Sequence, residues 1–141
     1  MINNCNVIRG EQMIGSDTFN YINVLNKAAD ASWKRNKVIS NNIANVNTPG
    51  YKRKDVEFES HLMSALSGSG SLDERVGSAR LNNLQGRIYT DNANLSYRLD
   101  GNNVDIDTES ANLAKNQIRY YTLLDSMTQE FNRIRSVIQS N

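Results

Sequence analysis

Ser40-Asn41-Asn42-Ile43-Ala44-Asn45-Val46-Asn47-Thr48-Pro49-Gly50-Tyr51-Lys52 is the stretch that decides the fold. An apolar-periodic run leads into it, and Thr48-Pro49-Gly50 closes that run. Pro49 is the only proline in 141 residues. Proline disfavours the α conformation in the residue before it and donates no N–H, so a helix arriving here must end near Asn47. Gly50 then permits a left-handed turn. Lys52-Arg53-Lys54 follows Tyr51. It is short and adjoins one aromatic, which reads as a solvated turn and not as a nucleic-acid patch.

Upstream, Ser16 or Asp17 can cap a helix that runs to the turn, about 45 Å long at roughly 1.5 Å per residue. Its apolar positions follow a seven-residue pattern. Ile22, Ala29, Asn36 and Ile43 form one line; Leu25, Ser32, Ile39 and Val46 form the other. Phe19 and Trp33 lie beside it. Asn36 and Ser32 make the seam impure. A buried Asn fixes register at some expense of stability, and the alternative is a poor helix with a wet patch. Residues 1–15 are polar and lack a period, which predicts a loose arm with at most one helical turn.

Downstream, residues 51–103 form a small middle region. Val56 and Phe58 suggest an extended stretch, and Leu62, Met63 and Leu66 a short helix. Ser67-Gly68-Ser69-Gly70-Ser71 is a flexible loop by composition, and polar sequence continues to about Gln85. Arg87–Thr90 and Leu95–Leu99, separated by Asp91-Asn92-Ala93-Asn94, read as a β-hairpin. Asp100-Gly101-Asn102-Asn103 is a further turn. Asp105, Asp107 and Glu109 gather where the last helix begins, as suits the positive end of a helix dipole. That helix carries the strongest heptads in the chain. Ile106, Leu113, Tyr120, Met127 and Ile134 lie on one line, and Gln117, Leu124, Phe131 and Ile138 on the other.

The fold predicted is therefore mainly α. Two long terminal helices, within 16–50 and 104–141, pair as a helical layer. An arm, 1–15, precedes them, and the loops and short hairpin of 51–103 lie between. Self-packing and packing with other subunits both satisfy the pattern. The hydrophobic fraction is 38% and asparagine is unusually common. Such a thin core favours burial against other chains. Net charge is +1, so no field over the whole molecule draws it to nucleic acid or membrane. Residues 1–54 carry eight Lys/Arg and three Asp/Glu; residues 55–141 carry eight and twelve. Head-to-tail contact between copies and ordinary solvated charge both account for that split.

Cys5 and His61 are each alone, which leaves no intramolecular disulfide and no multi-histidine metal or catalytic set. Asp100 to Glu109 fails as a calcium loop, because the position that needs glycine holds Asp105. Gly68-Ser69-Gly70 lacks the strand, the helix and the third glycine of a phosphate loop. No catalytic residues, metal or cofactor are expected, and no enzyme. No secretory signal opens the chain and no apolar run spans a bilayer.

Asn41-Asn42-Ile43-Ala44-Asn45 with Thr48-Pro49-Gly50-Tyr51-Lys52 resembles the N-terminal signature of the bacterial flagellar rod, hook and hook-associated axial proteins. Gly101-Asn102-Asn103-Val104-Asp105-Ile106-Asp107-Thr108-Glu109, with Leu113-Ala114-Lys115-Asn116 and Tyr120, resembles the C-terminal signature of its small proximal rod members. The short middle fits those members best. The resemblance implies a structural subunit of the proximal rod, with the terminal helices forming the inner layer of a hollow helical tube that transmits torque. It implies as partners further copies, other rod proteins, the membrane-ring/rod junction protein and the export gate. It also implies type III export without a cleavable signal and a place in the periplasmic basal body. A cytosolic coiled-coil adaptor or export chaperone would share the heptads but has no reason to carry Ala44 to Tyr51.

Overall fold

The computed structural model describes residues 7–79, 84–92 and 99–139, with side chains from residue 19 onward. Two long helices dominate it: α1, Val7–Ala44, and α4, Ile106–Gln139. They pack against each other and run antiparallel, since Asn42 meets Glu109 while Asn36 meets Asn116. Between them come β1 (Lys54–Glu57), α2 (Glu59–Ala65), α3 (Leu72–Ser78) and β2 (Arg87–Thr90).

α1 starts at Val7, nine residues before the cap expected at Ser16 or Asp17. Once a helix is nucleated, each further residue fixed gains one hydrogen bond, so extending a helix is easier than starting one. Residues 7–15 of the expected arm belong to the helix, and residues 1–6, Cys5 among them, lie outside the described residues. The 38 residues of α1 span roughly 57 Å at 1.5 Å per residue. Its regular helix stops at Ala44, as the Pro49 turn requires, and residues 45–47 form a further turn.

One face of α1 carries the middle region. Ala31, Phe58 and Leu84 form a buried cluster, and Ala28, Leu62 and Ala65 pack against it. Small alanines let the middle region come close to the helix. Gly86 comes closest: a Cβ there would lie 2.8 Å from Val56 Cγ1 and 3.3 Å from Ala31 Cβ. The polar stretch before Gln85 contains α3. Ser71 and Glu74 form a reciprocal capping box at its start, Val76 is buried, and Tyr21 donates to Asp73 at 2.7 Å.

The antiparallel strand pair joins β1 and β2, with Lys54 opposite Thr90 and Val56 opposite Ile88. Arg87–Thr90 is a strand as expected, but its partner is Lys54–Glu57. The strand expected at Leu95–Leu99 lies outside the described residues except for Leu99, which is in an exposed turn. The physical reason for the observed pairing is the buried side of β1. Val56 is inward against α1, while side chains of α1 occupy the free edge. Asn42 bonds both the N–H and the C=O of Lys54, and Arg35 donates to the Val56 carbonyl.

Candidate functional site

The two terminal motifs, some 60 residues apart in sequence, meet at one polar junction at the end of α1. Asn42 is its centre and is fully buried. Its Nδ2 donates to the Lys54 carbonyl at 2.7 Å and to Glu109 Oε2 at 2.8 Å. Its Oδ1 accepts from the Lys54 N–H at 3.0 Å and from the Tyr51 hydroxyl at 3.2 Å. Both donors and both lone pairs are used, so one side chain ties α1, β1 and α4 together. Burial, and then the Glu109 charge, push the Tyr51 hydroxyl above its ordinary pKa.

Glu109 is buried on the first turns of α4. Arg53 Nε donates to its Oε1 at 2.7 Å, and the same guanidinium reaches Asp55 at 2.9 Å. Burial opposes the charge on Arg53, but the hydrogen bonds to Glu109 and Asp55 outweigh it and hold the guanidinium above its usual value. A buried ion pair of this kind contributes little net stability while whole, but removing one partner strands the other.

Asn102 seals the other side. Its Nδ2 points at the carbonyls of Asn45, Val46 and Thr48, at 2.9, 3.0 and 2.9 Å. These carbonyls follow the last helical residue, and those of Asn45 and Thr48 also accept from the Thr48 and Tyr51 N–H groups at 3.0 and 3.2 Å. Its Oδ1 accepts from the Val104 N–H at 2.8 Å, so the turn that opens α4 closes α1. Asn103 Oδ1 accepts from the Arg53 N–H at 2.7 Å, and its Nδ2 donates to the Asp91 carbonyl at 2.9 Å. The two glycine turns abut. Gly50 has φ 71° and Gly101 φ 76°, and Gly50 donates its N–H to the Asp100 carbonyl at 2.8 Å. Lys52 Nζ donates to the Gly101 carbonyl at 2.8 Å.

These contacts correct two expectations. Lys52 and Arg53 are not a solvated turn; only Lys54 of the triplet is exposed. Satisfying the carbonyls and carboxylate of the second motif draws them inward. The acidic group at the start of α4 also divides. Asp105 caps the helix, accepting from Asp107 N at 3.0 Å and from Thr108 Oγ1 at 2.7 Å. The Thr108 hydrogen bond, then those from the Asp107 and Thr108 N–H groups, lower its pKa. Asp107 stays exposed, whereas Glu109 is buried among uncharged and cationic partners.

The remaining motif residues frame the junction. Asn41 and Ala44 are exposed on the last turn of α1; Asn45 Nδ2 donates back to the Asn41 carbonyl at 2.8 Å, and Thr48 Oγ1 to Asn45 Oδ1 at 3.2 Å. Pro49 is exposed in the turn, and Val104 is buried. Along α1, Ile22, Ala29, Ser32 and Ile39 are buried, with Leu25, Asn36, Ile43 and Val46 half-buried. Along α4, Leu113, Tyr120, Leu124, Met127 and Ile134 are half-buried. Phe131, Ile138 and Ile106 are exposed in the single chain. The face of α4 turned to α1 centres instead on Glu109 and Asn116.

A second clasp lies along the helices. The Arg35 guanidinium on α1 donates to both oxygens of Glu59 at 2.6 Å, and Arg119 of α4 bonds the same carboxylate. Arg35 holds Glu59 at about 2, well below the ordinary carboxylate value. No motif signals this clasp; its three residues come from α1, α2 and α4. Among the described residues, no group of three His, Cys, Asp or Glu is placed to hold a metal ion, and no helix is long and apolar enough to cross a membrane.

Long antiparallel terminal helices locked by one polar junction, with a small middle region on α1, define an elongated axial-type subunit. The family model for flagella basal body rod protein matches residues 22–52, the second half of α1 and the turn. The chain is 35% identical over 117 residues to the flagellar basal body rod protein FlgB of Bacillus subtilis, covering 82% of this chain and 90% of that one. It is 33% identical to the protein of that name from Borrelia hermsii, covering 84% and 95%, and 30% identical to that of Escherichia coli, covering 81% and 89%. The chain belongs to the flagellar basal body rod protein family. It is a structural rod subunit of the flagellar basal body.

Proposed function

We propose that this chain is a subunit of the proximal rod, the part of the hollow drive shaft nearest the membrane ring and export gate. The observation that carries this reading is the junction. It joins both terminal helices through buried hydrogen bonds, so the pair behaves as one stiff rod element that resists sliding under torque. In this reading α1 and α4 form an inner layer and the middle region an outer one. Copies and other rod proteins pack through heterologous contacts, which generate a helix. The membrane-ring/rod junction protein and export gate are the proximal neighbours. The protein leaves the cytoplasm through the flagellar type III apparatus without a cleavable signal. Its work is mechanical and not enzymatic, and it takes no cofactor, metal or nucleic acid.

An in-frame deletion tests the axial role, scored by swimming and by electron microscopy of external filaments, with a plasmid-borne copy as control. The expected result is non-motile cells without hooks or filaments, rescued by the copy. Motile cells with normal filaments would overturn it and bring forward the coiled-coil adaptor, which predicts a stable soluble dimer instead.

A further inference from the structure

The outward main-chain groups of Lys54 and Val56 in β1 all have partners. Asn42 bonds the N–H and C=O of Lys54, and Arg35 donates to the Val56 carbonyl. The Val56 N–H donates to Asp55 Oδ1 at 2.6 Å. The outer edge of β2 is built differently. In an antiparallel pair, successive residues turn their N–H and C=O groups alternately toward and away from the partner strand. The Asp91 N–H donates to the Arg53 carbonyl at 2.8 Å, so Tyr89 and Arg87 share its phase and face β1. Ile88 and Thr90 therefore turn their N–H and C=O groups outward. Among the described residues, none of these four groups has a partner. Lys34 Nζ takes the Gly86 carbonyl just before them at 2.7 Å, and the open row begins after it.

The side chains beside this edge add a second feature. Val56 is buried against α1 and Ile88 stands opposite it, so Ile88 shares the face turned to α1. Ile88 is nevertheless exposed, and a cleft of about 350 Å³ lies next to it, lined by Val38, Asn41 and Asn45 of α1 with Tyr51 and Lys54. The exposed side chains of Lys54 and Arg87 form no ion pair among the described residues. Open N–H and C=O groups at strand spacing are met in full by another extended main chain. A helix has its own main-chain groups bonded internally and offers none. A two-stranded sheet is also marginal by itself, and a third strand stabilises it.

We propose that the open edge of β2 receives an extended segment of a neighbouring protein subunit as a third strand. Opposite Ile88 the segment carries an apolar side chain, which shares the Ile88 face and fills the cleft beside Val38 and Tyr51. Acidic residues flank it, the charge that suits Lys54 and Arg87. Main-chain bonds hold the segment, and the cleft selects which segment is held. That the neighbour is a rod subunit rests on the axial reading above; the open edge does not.

Hydrogen exchange tests this on the full chain, alone and in purified basal bodies. The Ile88 and Thr90 amides should exchange freely in the isolated chain and about tenfold or more slowly in basal bodies. Protection in the isolated chain would overturn the proposal, since the chain would then fill its own edge. Free exchange in basal bodies would overturn it too, because water would still be the partner. Thr90→Pro and Thr90→Ala separate main chain from side chain. Proline removes the outward N–H, keeps the bonds to β1 and is tolerated on an edge strand. In the deletion strain Thr90→Ala should restore swimming and Thr90→Pro should not, with the melting temperature of the isolated chain unchanged. Swimming by both variants, or by neither, overturns the proposal. If Thr90→Pro lowers the melting temperature, the exchange result decides by itself. A deletion strain that swims without any copy would instead overturn the axial reading on which the neighbour's identity rests.

Discussion

Asparagine does most of the joining in this molecule. A carboxamide offers two donors and two lone pairs in one plane, so a single side chain can satisfy two main-chain segments at once. Asn102 and Asn103 do so, Asn42 joins both main-chain groups of Lys54 to Glu109, and each reaches a residue distant in sequence. Their abundance, read from composition as a thin core, is in part the means by which α1 and α4 are held. Glu109 is the counterpart that these amides need. Glu109→Ala would leave Asn42 Nδ2 one acceptor short and leave Arg53 with the Asp55 and Asp91 carboxylates alone. The expected loss is about 1–3 kcal/mol, read from chemical denaturation. A loss under about 1 kcal/mol would mean that water reaches the junction and solvates Arg53. Asn102 and Glu109 were visible beforehand only as members of a motif. Their roles were not, because their partners lie more than 50 residues away.

At the level of elements, local signals and tertiary packing can be separated. The end of α1 follows from Pro49 and Gly50, whose effects are local and steric. α3 was not expected in a stretch read as polar, although a local signal stands there: Ser71 and Glu74 are at capping-box spacing. Strand pairing was not marked. Arg87–Thr90 could have paired with any nearby extended segment, and what selects Lys54–Glu57 is α1, which buries Val56 and fills the strand's other edge. The close approach at Gly86 depends on this arrangement. Gly86→Ala would push against Val56 and Ala31 and should destabilise by about 1–3 kcal/mol, seen as a lower melting temperature. An unchanged melting temperature would show that the sheet can move off α1 without penalty.

Across the whole molecule, a few polar clasps hold a sparse core, and they respond to pH and to assembly. Glu59 titrates at about 2 when folded against 4.5 as its ordinary value. The unfolded chain therefore binds more protons between those limits, and stability rises with pH there. Its contribution is complete above about pH 4.5 and is lost as pH falls toward 2. Thermal melts across that window should fall more steeply for the parent chain than for Glu59→Gln; parallel curves would remove Glu59 from the acid response. Assembly tests the outward flank. Phe131 is exposed in the single chain, so Phe131→Asp should leave its melting temperature nearly unchanged while preventing incorporation into rods. Filaments formed normally by that variant would exclude this flank as an interface.

The amino-acid sequence by itself determined the helical class of this protein, the end of its first helix, the long heptad-bearing helix at its other end and the family signature, because each depends on neighbours within a few turns or on a contiguous motif. Tertiary structure alone decided which face of α4 meets α1. The heptad lines put Phe131 and Ile138 in the seam, yet both are exposed, whereas the amides and carboxylate of Asn42, Glu109 and Asn116 are buried and find partners across the interface. An unpaired buried polar group is more unfavourable than an apolar side chain left in water, so these polar groups must meet partners distant in sequence, which no local pattern names.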